Sequence, residues 1–174
     1  MAEALDPAIP EALDRLAKTL LRRACDRGLM LVTAESCTGG LLASLLTDVP
    51  GMSHAFERGF VAYTHEAKHE LLGVERSTLE EDGAVSAACA RAMAEGALAR
   101  SRGDLAAAIT GFTEAGPEQP AGLVHVACAG RDLPTTHRVL RLGDVGRAKV
   151  RLGAMEAALG LLLDQLIEGA AHAA

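Results

Sequence analysis

The 174-residue chain has no tryptophan, three phenylalanines and a single tyrosine, Tyr63. Basic residues are also in short supply: 17 Lys+Arg against 23 Asp+Glu leave a formal charge of −6. A chain with that balance makes a poor general binder of nucleic acid or of an anionic membrane surface. No apolar run approaches the roughly eighteen residues of a membrane span. The opening Met1-Ala-Glu-Ala-Leu-Asp6 lacks the basic-then-apolar order of a secretory signal, so a cytoplasmic location is expected. The four cysteines, Cys25, Cys37, Cys89 and Cys128, form no C-x-x-C pair, which argues against a zinc ribbon or a disulfide framework. Repeats, linkers and low-complexity runs are absent apart from the alanine-rich tail after Glu168.

What is present is aliphatic and ordered. Apolar residues make up 49% of the chain, too many for a disordered tail, and the length suits one domain with its core at about 11–168. Pro10 opens a helical stripe of Leu13, Leu16, Ala17, Leu20, Leu21 and Ala24 that Gly28 ends. Residues 29–34 read as a buried strand, 35–40 as a turn into a helix that stops before Pro50-Gly51, and 59–63 as a second strand. A short helix near 65–72 closes at Gly73. Ser77-Thr-Leu-Glu80 has the capping-box pattern, and Ser86 is placed to cap an alanine-rich helix to about Ser101. Residues 105–110 form a third strand, 123–129 and 135–142 a hairpin, and 145–168 a last helix. Strands alternating with helices predict an α/β three-layer sandwich: a mainly parallel sheet with an antiparallel hairpin near its end and helices on both faces.

In such folds ligands gather beyond the carboxyl ends of the strands. Glu35-Ser-Cys-Thr-Gly-Gly40 puts two hydroxyls and two glycines at a helix start, where free amides and the helix dipole can hold an anion. An ordinary cap and tight turn reads equally well from spacing alone. Ser53 lies in a second loop, followed by Tyr63 and Lys68; a lysine robbed of water can lose its charge and serve a serine as general base. Thr110-Gly111 ends the central strand, and small residues there admit a ligand close to the backbone. Arg138, Arg141, Arg147, Lys149 and Arg151 stand against one acid, Asp144, over residues 138–151, a local excess suited to an anionic ligand.

His65-Glu-Ala-Lys-His69 matches H-E-x-x-H, which on a helix sets two zinc ligands beside a general base. The helix expected here has only about two turns and no third ligand is in sight, so a solvated face is the preferred reading.

Taken together, Thr33-Ala-Glu-Ser-Cys-Thr-Gly-Gly-Leu-Leu-Ala43, Leu46-Thr-Asp-Val-Pro-Gly51, Phe56-Glu-Arg-Gly-Phe-Val-Ala-Tyr63, Glu66-Ala-Lys68, Leu72-Gly-Val74 and Gly83-Ala-Val-Ser86 resemble the CinA C-terminal domain family, the nicotinamide-nucleotide amidohydrolases of the competence/damage-inducible proteins. The resemblance runs in order from about residue 11 to residue 168. It implies a three-layer α/β fold, hydrolysis of nicotinamide mononucleotide to nicotinate mononucleotide and ammonia, no metal and no cofactor, and a Ser/Lys arrangement. Carried over by position, it implies catalytic roles for Ser36, Ser53, Tyr63 and Lys68. Either serine could be the nucleophile, with Lys68 as base and Tyr63 relaying or orienting the proton. It implies substrate binding by Glu35, Cys37, Thr38, Gly39, Gly40, Thr110, Gly111, Arg147 and Arg151. The expected partner is a small pyridine nucleotide, with homo-oligomers expected and neither nucleic acid nor membrane.

Three departures bear on substrate. After Thr110-Gly111 the chain reads Phe112-Thr-Glu-Ala-Gly-Pro117 where the family has a glycine-rich run, and the loop is about three residues shorter. Glu114 would repel a phosphate placed beside it. Gly143-Asp144-Val-Gly-Arg147 carries two extra residues in the family's G-D-R element, and His65 replaces an asparagine. The alternative they leave open is a noncatalytic nucleotide- or partner-binding module of the same fold.

Overall fold

A computed structural model describes residues 9–172 except residue 118, with side chains through Gly169. The opening six residues and the last two of the alanine-rich tail lie outside the described residues. In chain order the elements are α1 (Glu11–Asp26), β1 (Leu31–Glu35), α2 (Leu41–Thr47), β2 (Phe56–Val61), α3 (His65–Leu72), α4 (Ala87–Ala99), β3 (Leu105–Gly111), β4 (Leu123–Gly130), β5 (Leu133–Arg141) and α5 (Arg147–His172). The five strands form one sheet in the order β2-β1-β3-β4-β5. β1 pairs in parallel with β2 and β3, and β4 pairs antiparallel with β3 and β5. β4 alone runs against the other four strands, so the mainly parallel sheet with an antiparallel end is as expected.

Alternation along the strands divides the core in two. Leu31, Leu105, Ala107, Ile109, Val124, Val126 and Cys128 face α1, α2 and α5. Val32, Ala34, Ala106, Ala108, Ala127 and Ala129 face α4 and the segment around α3. Alanine dominates the second face, which lets α4 lie close to the sheet. Gly96 serves the same end: a Cβ there would sit 1.8 Å from the Leu72 carbonyl oxygen of α3. Gly96→Ala should therefore destabilise the protein by at least about 2 kcal/mol, overpacking outweighing alanine's better helix propensity. A denaturant titration checks it, and unchanged stability would mean α3 does not rest on α4 there.

Three boundaries differ from the sequence reading. β2 begins at Phe56, three residues early, after a 3₁₀ turn at Ser53–Ala55. Ser77 is no cap: its φ of −58° and ψ of −43° are already helical, and Thr78–Asp82 forms a wider π turn closed by the Gly83 amide on the Thr78 carbonyl. A capping residue needs extended backbone, as Ser86 has, where the hydroxyl accepts from the Cys89 amide. Finally, the hairpin turn is only Arg131-Asp132, with Asp132 left-handed at φ 61°. Pro134 is therefore inside β5, tolerated because β5 is an edge strand.

Candidate active site

The carboxyl ends of β1 and β3 open onto one edge of the sheet, and β1 delivers the first functional group there. All five residues of β1 are buried, including Glu35. Its carboxylate accepts from the amides of Gly40 at 3.1 Å, Leu42 at 3.0 Å and Ala43 at 2.8 Å. The amides of Gly39 and Leu41 go to the carbonyls of Ser36 and Thr38. Every amide from Gly39 to Ala43 is thus committed, which corrects the expected anion cradle at Gly39-Gly40. Glu35 caps α2 with its carboxylate. The left-handed φ values of Gly39 and Gly40, 61° and 95°, bend the loop into an arch over that carboxylate. Of the two remaining amides of the arch, that of Cys37 meets its own thiol and that of Thr38 meets no acceptor among the described residues.

Lys68 comes to the arch from α3. Thr64 caps that helix through the Ala67 amide, and Gly73 ends it in the left-handed conformation. Lys68 and Leu72, one turn apart, turn inward. Lys68 is only 1% exposed. Its Nζ lies 3.1 Å from Ser36 Oγ, 3.0 Å from the Ala62 carbonyl oxygen and 3.3 Å from that of Tyr63. Burial lowers the lysine's pKa from its ordinary value, and no carboxylate opposes the shift. The neighbouring thiols of Cys37 and Cys89 are themselves pushed up to about 11 by burial, so both stay neutral near pH 7. Nζ donates to the Ser36 hydroxyl oxygen and to the two carbonyls, and burial eases the loss of its extra proton, after which its lone pair could accept from the serine hydroxyl.

The other candidates divide. Ser53 precedes β2, whereas Ala62 follows it. The strand between them puts Ser53 about 20 Å from Lys68 at the opposite edge of the sheet, so within one chain it cannot join this site. Tyr63 meets Lys68 through its carbonyl oxygen, and its hydroxyl lies beside Arg147. Thr110 donates its hydroxyl to the Ala84 carbonyl at 2.6 Å, fixing the start of α4 to β3. Gly111 makes its close approach to β4 and not to a ligand, since a Cβ would meet Val124 at 2.8 Å. Thr38 Oγ1 is buried without a partner among the described residues.

At the mouth of the site stands the first turn of α5. Arg151 donates Nε to the Cys37 carbonyl at 2.8 Å. One turn earlier, Arg147 pairs with Glu114 through Nε at 3.0 Å and Nη2 at 2.8 Å. Glu114 therefore neutralises the very arginine that was expected to meet substrate, a contact that spacing did not reveal. Of the remaining basic stretch, Arg138 turns to Asp164 on the α5 face. Cys89, also unanticipated, sits beside Lys68 because Ser86 starts α4 at this edge.

The H-E-x-x-H match resolves into a two-turn helix. His69 places Nδ1 2.9 Å from the Val74 carbonyl oxygen, while His65 is exposed. Among the described residues no group of three or more His, Cys, Asp or Glu stands together as a metal site. None of the described helices is long and apolar enough to cross a membrane.

Comparison with known proteins agrees with this arrangement. The family model of the CinA C-terminal domain matches residues 13–166. A CinA-like protein of Anaeromyxobacter sp. is 43% identical over 160 residues, 90% of this chain and 38% of that protein. Another from Akkermansia muciniphila is 43% identical over 152 residues, 86% of this chain and 36% of that protein. The chain spans about a third of the length of the curated relatives it matches. Among solved structures, the competence/damage inducible protein CihA of Agrobacterium tumefaciens superposes with a TM-score of 0.88 at 43% identity, covering 91% of this chain and 98% of that one. A CinA superfamily protein of Escherichia coli gives 0.83 at 34% identity, covering 92% and 94%. With the family model matching most of its length and these relatives at 43% identity, the chain belongs to the CinA C-terminal domain family.

Proposed function

We propose that the domain is an amidohydrolase that deamidates nicotinamide mononucleotide to nicotinate mononucleotide and ammonia, with Ser36 as nucleophile and Lys68 as base. The contact that carries this reading is Lys68 Nζ at 3.1 Å from Ser36 Oγ in a setting without a counter-ion. Neutral Lys68 takes the hydroxyl proton as Ser36 Oγ attacks the carboxamide carbon. The Thr38 amide, close to the nucleophile and otherwise unused, suits the oxyanion of the tetrahedral intermediate, with the Cys37 amide beside it. As the C–N bond breaks, the Lys68 ammonium returns its proton to the leaving nitrogen, and ammonia departs from a serine ester. Water then adds to the ester, Lys68 again takes a proton and gives it to Ser36 Oγ, and the carboxylate is released. No metal or cofactor enters this sequence. The setting we infer is pyridine-nucleotide salvage in the cytoplasm, in a homo-oligomer.

Ammonia release from nicotinamide mononucleotide by the purified protein tests the reading, with Ser36→Ala as control. Release that vanishes in the variant supports it, and none from folded wild type would overturn it. The Glu114–Arg147 pair favours a second reading, a noncatalytic nucleotide- or partner-binding module, because it silences a cation at the mouth. The two readings part on Glu114→Gln. In an active enzyme the substitution should free Arg147 for the phosphate and lower KM by about threefold, given the modest worth of an exposed pair. An unchanged or higher KM would show that Glu114 does not compete with substrate.

A further inference from the structure

The hairpin carries a second cluster that the reaction above does not use. Thr135, His137, Val139 and Arg141 share the α4 face of β5, because the intervening Thr136 and Arg138 turn to Gln165 and Asp164 of α5. In register, His125 of β4 faces Val139, with His137 and Arg141 diagonal to it on either side. His125 Nδ1 lies 3.0 Å from His137 Nε2, and the rings stack with centroids 5.2 Å apart at 21°. Arg91 of α4 comes up to His137 and donates to the Thr135 carbonyl. Arg141, His125, His137 and Arg91 thus form one line between β5 and α4.

That line is short of negative charge. The only acid drawn into it from α4 is Glu95, which accepts from the Thr135 hydroxyl at 2.7 Å. No carboxylate pairs with Arg91, Arg141 or either histidine among the described residues. The line also shares its row with the nucleophile. Glu35 pairs with Ile109, so Ser36 lies beside Thr110, and Thr110 pairs with His125 on the same face. Two strand spacings put His125 about 10 Å from Ser36.

We propose that His125, His137, Arg141 and Arg91 form an oxyanion subsite that takes the phosphate of the nucleotide whose amide reaches Ser36. This rests on the amidohydrolase reading for its substrate, but the subsite itself is testable without turnover. Burial, then the positive neighbours, hold both histidines below their ordinary pKa. One ring donates to the other, and the pair takes up a second proton readily only when an anion arrives to balance it. Phosphate binding is therefore linked to proton uptake by the pair and strengthens as the histidines protonate.

The test is an NMR titration of the histidine Cε1–H resonances with inorganic phosphate, against chloride at equal ionic strength. Resonances are assigned through His125→Gln and His137→Gln, with His54, His65 and His69 as internal references. Phosphate should shift the two hairpin histidines saturably and raise their titration midpoints while the references stay still. A response no larger than that to chloride overturns the subsite. Arg141→Gln, at an exposed strand position, should weaken the phosphate response even if the histidine variants fold poorly; an unaltered response would remove Arg141 and the line with it. In turnover, His125→Gln should cut the kcat/KM preference for the mononucleotide over its nucleoside by at least about tenfold, the worth of a charge-assisted contact. An intact preference counts against the subsite. Phosphate binding without ammonia release would sink the amidohydrolase reading and leave the subsite standing.

Discussion

Lys68→Met should lower kcat/KM for nicotinamide mononucleotide at least about a thousandfold, the upper range for losing a positioned base, and move the thermal midpoint by only a few degrees. Methionine keeps the length of the side chain in a site that is 1% exposed, so no cavity opens. Lys68→Ala would be a poorer control, because it leaves a void beside Leu72 and costs about 2 kcal/mol for that reason alone. In the wild type, the base must be neutral to act, so activity is lost as pH falls through the Lys68 pKa. Burial lowers that pKa, and the acid limb of kcat/KM should therefore lie below the ordinary lysine value of 10.5. Full turnover in Lys68→Met, or an acid limb at the ordinary value, would remove Lys68 as base.

Glu35→Ala should destabilise the protein by at least about 4.5 kcal/mol, since hydrogen bonds to a charged group are worth about 1.5–3 kcal/mol each and three buried or half-buried amides lose their acceptor together. For a chain of this size that corresponds to a fall of roughly 10 °C in Tm. Calorimetry or thermal denaturation followed by circular dichroism checks it. A change under about 1 kcal/mol would mean that water replaces the carboxylate, and the Gly39-Gly40 amides would again be candidates for an anion. Glutamine is no substitute here, because its NH₂ would face an amide N–H.

Periodicity made the architecture legible. The α1 stripe, the all-buried β1, the buried run 105–110 of β3 and the Ser86 cap fall where the spacing puts them, because each follows from local pattern alone. The π turn at Thr78–Asp82 did not, since Ser77-Thr-Leu-Glu80 fits a cap rule while the chain there is already helical. At the site, Ser36 and Lys68 are brought together as the family resemblance implies. Composition could not tell Glu35 the cap from Glu35 the ligand, because that depends on where the arch folds back. Ser53 shows the same limit in another form: a strand of six residues separates it from Tyr63 and carries it to the far edge. The Glu114–Arg147 pair joins positions 33 apart in sequence, and only the docking of α5 reveals it. The histidine line was missed for a similar reason. A two-residue turn at Arg131-Asp132 alone would set His125 opposite Arg138; the bulge between Cys128 and Gly130 shifts the register by one, sets His125 opposite Val139 and brings His137 onto the same face.

Arg151 reaches across 114 positions of sequence to hold the Cys37 carbonyl. A chain emerging from the ribosome amino end first exposes Ser36 and Lys68 long before that arginine exists. The arch must wait for α5, so a nascent chain stalled before that helix carries Ser36 and Lys68 in an unfastened state. Delayed fastening of this kind makes the order of the loop depend on a helix made much later, which folding measured on ribosome-bound chains of increasing length would reveal as protection of the arch appearing only once α5 has cleared the exit tunnel.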